Sequence, residues 1–176
     1  SVAFQYSNVI NANATVFTFA GVPIGTASSR RYVVFKIALL GTPITSVTVN
    51  GGAAAGLGGA GSNLYICNVP TGTTCTIQIT QSVAFPSTYT IMVWSVWDIR
   101  SATAYDYASS TTASPVTVSV NVPSRGVVIA TALPNSNGAS VTWTAGVTSD
   151  YSQTSAINNI PRAGASEIAA TTGTPR

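Results

Sequence analysis

The sequence predicts an all-β protein, a two-sheet antiparallel sandwich, and three observations carry that expectation. Runs rich in Val, Ile, Thr, Tyr and Phe recur about every dozen residues, bounded by Gly, Pro, Asn and Ser. Patterns with the 3.6-residue period of an amphipathic helix are nearly absent. Some strands are apolar on both faces and others on one, which favours two covered sheets over a simple open barrel.

The expected strands are residues 3–6, 15–20, 32–40, 46–49, 63–69, 74–80, 89–97, 116–122, 127–133 and 140–144, with a weaker set after Asp150. In 32–40, Val33, Phe35, Ile37 and Leu39 alternate with Val34, Ala38 and Leu40. In 89–97, Ile91, Val93 and Trp97 alternate with Met92, Trp94 and Val96. Strands apolar on both faces belong in the middle of a covered sheet. By contrast, Val116, Val118, Val120 and Val122 alternate with Thr117, Ser119 and Asn121, the pattern of a strand with one wet face. Val47-Thr48-Val49 and Cys75-Thr76-Ile77-Gln78-Ile79-Thr80 read the same way.

Between the strands, Asn50-Gly51-Gly52 is a strong hairpin signal, because Asn and Gly tolerate the positive φ of tight turns. Val69-Pro70-Thr71-Gly72-Thr73 is read as a second such link and Pro134-Asn135-Ser136-Asn137-Gly138 as a third. The Gly- and Ala-rich segment 51–61 is read as a surface loop or one packed closely on another backbone. The length of 176 residues suits a single β-sandwich domain over 1–176, with 1–14 a candidate extended N-terminal arm and 171–176 a candidate C-terminal tail.

Composition narrows function by exclusion. Only 6% of residues are charged, against about 25% in an ordinary soluble domain, and mean hydropathy is +0.35. There is no histidine, which removes Ser-His-Asp and Cys-His catalysis and histidine metal sites. The net charge is +3, but Arg30 and Arg31 are the only adjacent basic pair and the other cations are scattered. No basic stripe exists to follow a phosphate backbone, so nucleic acid is not an expected partner. The longest apolar stretch, 32–40, is interrupted by Lys36 and falls short of a membrane span, so no membrane insertion is expected. The first residues, Ser1-Val2-Ala3-Phe4, lack the basic and apolar regions of a signal peptide.

The remaining chemistry is sparse. Cys67 and Cys75 flank the 70–72 turn and are candidates for a disulfide. A loop with an odd number of residues centred on Thr71 makes them face each other; a two-residue turn sends them to opposite faces, leaving two buried thiols. The acids are Asp98, Asp106, Asp150 and Glu167. Asp98 and Asp106 share one expected loop and could be posed as a glycosidase pair or calcium ligands, but loop solvation or pairing with Arg100 explains them as well. No phosphate cradle, Gly-x-Ser-x-Gly elbow or metal motif is present, so no cofactor and no catalytic residue is assigned. Among the aromatics, Trp94, Trp97 and Trp143 read as core. Tyr105, Asp106 and Tyr107, together in a polar loop, are the candidate glycan contact.

The order of these motifs carries a resemblance. Gly25-Thr26-Ala27-Ser28-Ser29-Arg30-Arg31-Tyr32-Val33-Val34, then Ile44-Thr45-Ser46-Val47-Thr48-Val49-Asn50-Gly51, then 65–69 with Pro70-Thr71-Gly72-Thr73, resemble a domain of structural proteins from tailed bacteriophages and prophages. The runs 116–123 with Gly126-Val127-Val128-Ile129-Ala130, and Thr142-Trp143-Thr144 leading to Asp150-Tyr151, follow the same plan. The likeness covers residues 15–170. It implies a jelly-roll-like sandwich without enzymatic residues on the virion surface, as a capsid decoration or head-spike subunit. The alternative role is a tail-tip or spike module that binds host polysaccharide for attachment. Its partners would be copies of itself and other virion proteins. A further Thr/Val-rich strand is expected to close such a domain, and 169–176 does not supply it. The expectation is therefore an open edge filled by a neighbour in a symmetric oligomer.

Overall fold

The computed structural model describes residues 1–40, 43–59, 61–111, 115–134, 139–143, 146–154 and 161–169. Ten strands and no helix are found among them: β1 (Val2–Pro23), β2 (Arg31–Leu40), β3 (Ile44–Val49), β4 (Gly52–Ala53), β5 (Ala55–Leu57), β6 (Leu64–Asn68), β7 (Thr74–Trp97), β8 (Val127–Ala132), β9 (Thr148–Thr154) and β10 (Pro161–Ile168). They form two antiparallel sheets, one of seven strands and one of three. The all-β, two-sheet class is thus the one the sequence predicts, although the described strands do not trace the double Greek key of a jelly roll. The chain gathers into two compact units, the first comprising 1–2, 58–62 and 103–176, the second 3–57 and 63–102.

The second unit holds the large sheet, in the order β4-β3-β7-β2-β6-β5, with β1 also paired to β7. Its two end strands, β4 and β5, are separated by Ala54 alone. A sheet whose opposite ends are joined by one residue must curl until those ends meet, so it forms a nearly closed barrel. Phe17, Phe19 and Val22 of β1, Val33, Phe35 and Ile37 of β2, Val47 and Val49 of β3, and Ile77, Ile79, Tyr89, Ile91 and Val93 of β7 fill it. The rings of Phe17 and Tyr89 lie 4.4 Å apart there. Val34, Ala38, Met92, Trp94 and Val96 occupy the opposite face of β2 and β7 and are buried too, with Phe4 edge-on to Trp94. The two strands read as apolar on both faces are therefore the central ones.

The expected strands 74–80 and 89–97 are one element of 24 residues. β7 pairs β3 through Ile77–Gln81 and β2 through Thr88–Trp97, changing partner across an exposed stretch that ends at Pro86. The sequence marks that change of partner as a break, because alternation lapses and Pro lacks a ladder donor. The expected strands 3–6 and 15–20 likewise merge into β1, which takes in the candidate arm 1–14.

Asn50 and Gly51 both have positive φ, 50° and 83°, and connect the paired residues Val49 and Gly52, so the predicted two-residue hairpin forms. The link at 69–73 is different. β6 pairs β2 and β5, not β7, so 69–73 is an arch between non-neighbouring strands and not a hairpin. The segment 51–61, expected as a loop, contributes the two closing strands β4 and β5.

In the first unit, β10 lies between β8 and β9, pairing Ile168 with Val127 and Arg162 with Gln153. Residues 116–122, predicted as a strand, have no ladder partner among the described residues, and the described residues 140–143 form no strand. The turn at 135–138, Thr144 and the candidate tail 171–176 lie outside the described residues.

Candidate functional site

In the first unit the candidate contact residues sit on a loop that is braced, not loose. Tyr107 N and Asn121 N donate to the two carboxylate oxygens of Asp106 at 2.8 and 2.7 Å. These amide bonds, Asn121's first, hold the Asp106 carboxyl below the usual carboxylate range. Asp106 is therefore a strut tying 105–107 to 121. Tyr107, 41% exposed, lies flat on the backbone of Gly58 and Gly59; a Cβ at Gly58 would stand 2.6 Å from its ring carbons. The two segments singled out in the sequence as surface loops are thereby brought together. Gly58 is required twice over, by that approach and by its φ of 79°. Tyr105 is 77% exposed and is the aromatic face offered to solvent.

Gly58→Ala is expected to dislodge the Tyr107 ring and cost about 1–2 kcal/mol in urea unfolding. In the Tyr107→Ala background most of the steric part should vanish, leaving the smaller penalty of the backbone angle. Additive losses in that double-mutant cycle would contradict the packing described.

The other acids are also engaged. Asp98, in the second unit, meets Arg30 at 3.6 Å on the surface, not Arg100. Glu167 accepts from Thr148 Oγ1 and from Ile168 N, both at 3.1 Å. Asp98 and Asp106 belong to different compact units, and each has its own partners. No group of three or more His, Cys, Asp and Glu side chains fit to hold a metal ion occurs among the described residues.

Cys67 and Cys75 are free thiols, half-buried and buried. Both lie in or against the barrel core, on strands that are not ladder neighbours. The turn-register choice posed from sequence does not arise, because 69–73 is not a hairpin. Burial, reinforced by Cys67, pushes the Cys75 thiol up to about 11, so it stays protonated and weakly nucleophilic at neutral pH. Trp94 is buried as expected; Trp97 donates to Thr26 O at 3.2 Å. Trp143, read as core, is half-buried, and its indole N–H has no partner among the described residues.

Two residues that the sequence reading missed organise the second unit. Arg31, noted in the sequence only as half of the one adjacent basic pair, is fully buried. Its Nε donates to Val69 O (2.8 Å), one terminal nitrogen to Gly25 O (2.7 Å) and Ile24 O (3.4 Å), the other to Thr71 O (2.8 Å) and Gly72 O (2.9 Å). The guanidinium thus ties the 69–72 arch to the end of β1. Gln81, 2% exposed at the bend of β7, donates to Ala14 O (2.6 Å) and Phe85 O (3.3 Å) and accepts from Ser87 Oγ (3.1 Å) and Tyr89 OH (2.7 Å).

Lys36 projects with Val34 and Ala38 from the outer face of β2, opposite Met92 of β7 and Leu64 of β6. Burial lowers its pKa from 10.5 to about 8. Between those values the unfolded chain binds more protons, so stability rises with pH, by up to about 3 kcal/mol for this group alone. Cys75 opposes it from 9 to about 11, because the folded thiol keeps its proton longer than the unfolded one. The lysine therefore dominates between about pH 8 and 9. Lys36→Met should flatten that rise in a pH series of urea midpoints, and an unchanged slope would assign it elsewhere.

No protein-family model, curated protein or solved structure matches this chain.

Proposed function

We propose that the chain is a non-enzymatic structural subunit of a tailed-phage or phage-like particle, assembling on the particle surface as a capsid decoration or head-spike subunit. The order of strand and turn motifs over 15–170 supports this reading. The observation that carries it is how the few charged groups are employed. Asp98 is paired with Arg30, Asp106 holds two backbone amides, Glu167 holds Thr148 and Ile168, and Arg31 is spent on carbonyls. Most of these groups brace backbone, and with only 6% of residues charged the surface is weakly charged and rich in hydroxyls, so it packs against copies and neighbours with few ions to desolvate. The test is copurification: the chain should band with intact particles in a density gradient at a fixed stoichiometry. Recovery solely in the soluble fraction of a lysate would overturn the reading.

The exposure of Tyr105 favours a second reading, a tail-tip or spike module that binds host polysaccharide. A stacking aromatic held on a braced loop is the geometry such a contact uses. Tyr105→Ala should then abolish polysaccharide binding while particle assembly persists. Binding unaffected by that change would remove this alternative.

A further inference from the structure

We infer that residues 115–123 are the pairing edge of a two-fold dimer of this chain, joined strand to strand. The inference stands on the soluble chain and does not need the particle.

The segment reads Pro115-Val116-Thr117-Val118-Ser119-Val120-Asn121-Val122-Pro123, a palindrome in kind: Pro at both ends, Val at every even position, a small polar residue at every odd position between. That is strand sequence, yet the residues pair with no other strand of the described chain. Val116 is 52% and Val118 43% exposed, far more than β-branched residues of a one-sided strand with its apolar face covered, while Val120 is half-buried and Val122, 9% exposed, rests on its own molecule beside Gly126.

Drawn out as a strand, the odd and even residues direct their N–H and C=O groups to opposite edges. The odd edge faces this molecule, because Asn121 N is already bound to Asp106 Oδ2 at 2.7 Å. Pro115 and Pro123, which have no N–H, also fall on the odd edge, where their lack of a donor costs no ladder bond. The even edge therefore keeps an unbroken set of donors, those of Val116, Val118, Val120 and Val122. An edge of this kind templates another strand.

The occupant follows from charge and symmetry. From Tyr107 to Ser124 there is no ionisable Asp, Glu, Lys or Arg, so a second copy meets no repulsion and a charged partner finds no counter-charge. In an antiparallel pair centred on Ser119, midway between the prolines, Val116 stands opposite Val122 and Val118 opposite Val120. Thr117 faces Asn121, and Ser119 faces its own mate on the two-fold axis. Valine meets valine on one face, hydroxyl and amide meet on the other, and the four even amides find carbonyls. An isologous interface of this kind closes at two copies.

The 176-residue chain is expected to sediment as a dimer at tens of micromolar. Val118→Pro removes an even-edge donor and should weaken association at least tenfold, while circular dichroism and the thermal midpoint of parent and variant coincide at dilutions where both are monomeric, because the segment has no ladder within its own molecule. Thr117→Pro lies on the odd edge and should leave the dimer intact. Ser119→Cys places two thiols at a pair with Cα atoms about 4.5 Å apart, within disulfide range, and mild oxidation should link the chains through position 119 by peptide mapping. A monomer at all these concentrations, a Val118→Pro chain as dimeric as the parent, equal damage from Thr117→Pro, or no link through position 119 would each overturn the inference.

Discussion

Replacing Arg31 with methionine is expected to cost about 3–5 kcal/mol, a large part of the stability of an ordinary domain. The reason lies in what is left behind. Methionine fills much of the volume, but the carbonyls of Gly25, Val69, Thr71 and Gly72 lose donors at 2.7–2.9 Å. A buried carbonyl without a partner, here Val69 O, is expensive, the other three are partly buried, and all four belong to two segments held together by one side chain. Burial also lowers the Arg31 pKa, so the charge is retained against a desolvation cost that the carbonyl bonds offset. Arg31→Lys should recover little of the loss, because an ammonium cannot reproduce the planar fork that reaches both segments. Urea unfolding measures both variants; a loss below about 1 kcal/mol for Arg31→Met would show that the arch holds without the clamp.

Gln81→Leu is expected to cost about 2–4 kcal/mol at nearly constant volume. It takes a hydrogen-bond partner from the hydroxyls of Ser87 and Tyr89 and from the carbonyls of Ala14 and Phe85, all gathered where β7 changes partner. Gln81→Glu carries a sign that packing loss alone lacks. A carboxylate facing two carbonyls has its folded pKa raised, so the penalty relative to the parent is full above that pKa and relaxes as pH falls below it. A deficit independent of pH from 4 to 8 would contradict the donor role assigned to this amide.

How much of this was legible in the sequence depended on whether the cue was local. Two-sided apolarity placed β2 and the second half of β7 at the centre of the sheet, and Asn50-Gly51 marked the β3–β4 hairpin, because each rests on a few adjacent residues. The continuity of β7 across Pro86 was not legible, since a strand that exchanges one partner for another loses its alternation at the exchange. Arg31 was legible only as the neighbour of Arg30; the arch of 69–72 arriving overhead makes it interior. Its one local sign is its place at the head of an apolar strand. Gln81, following Ile77 and Ile79 on the inward register, was open to discovery as a polar residue in an apolar position. At the loop, Tyr105 and Tyr107 were marked as the exposed contact, but the bracing by Asp106 and the seat on Gly58 depend on chain distant in sequence. The valine alternation of 116–122 gave a strand that the lone chain does not pair, the observation from which the dimer is inferred.

Immunogold labelling, or difference density, of the particles with an antibody against this chain decides whether it is a particle subunit. Label is expected over the head, in register with the capsid lattice. Particles that carry no label, while the chain is abundant in the same preparation's soluble fraction, would contradict it.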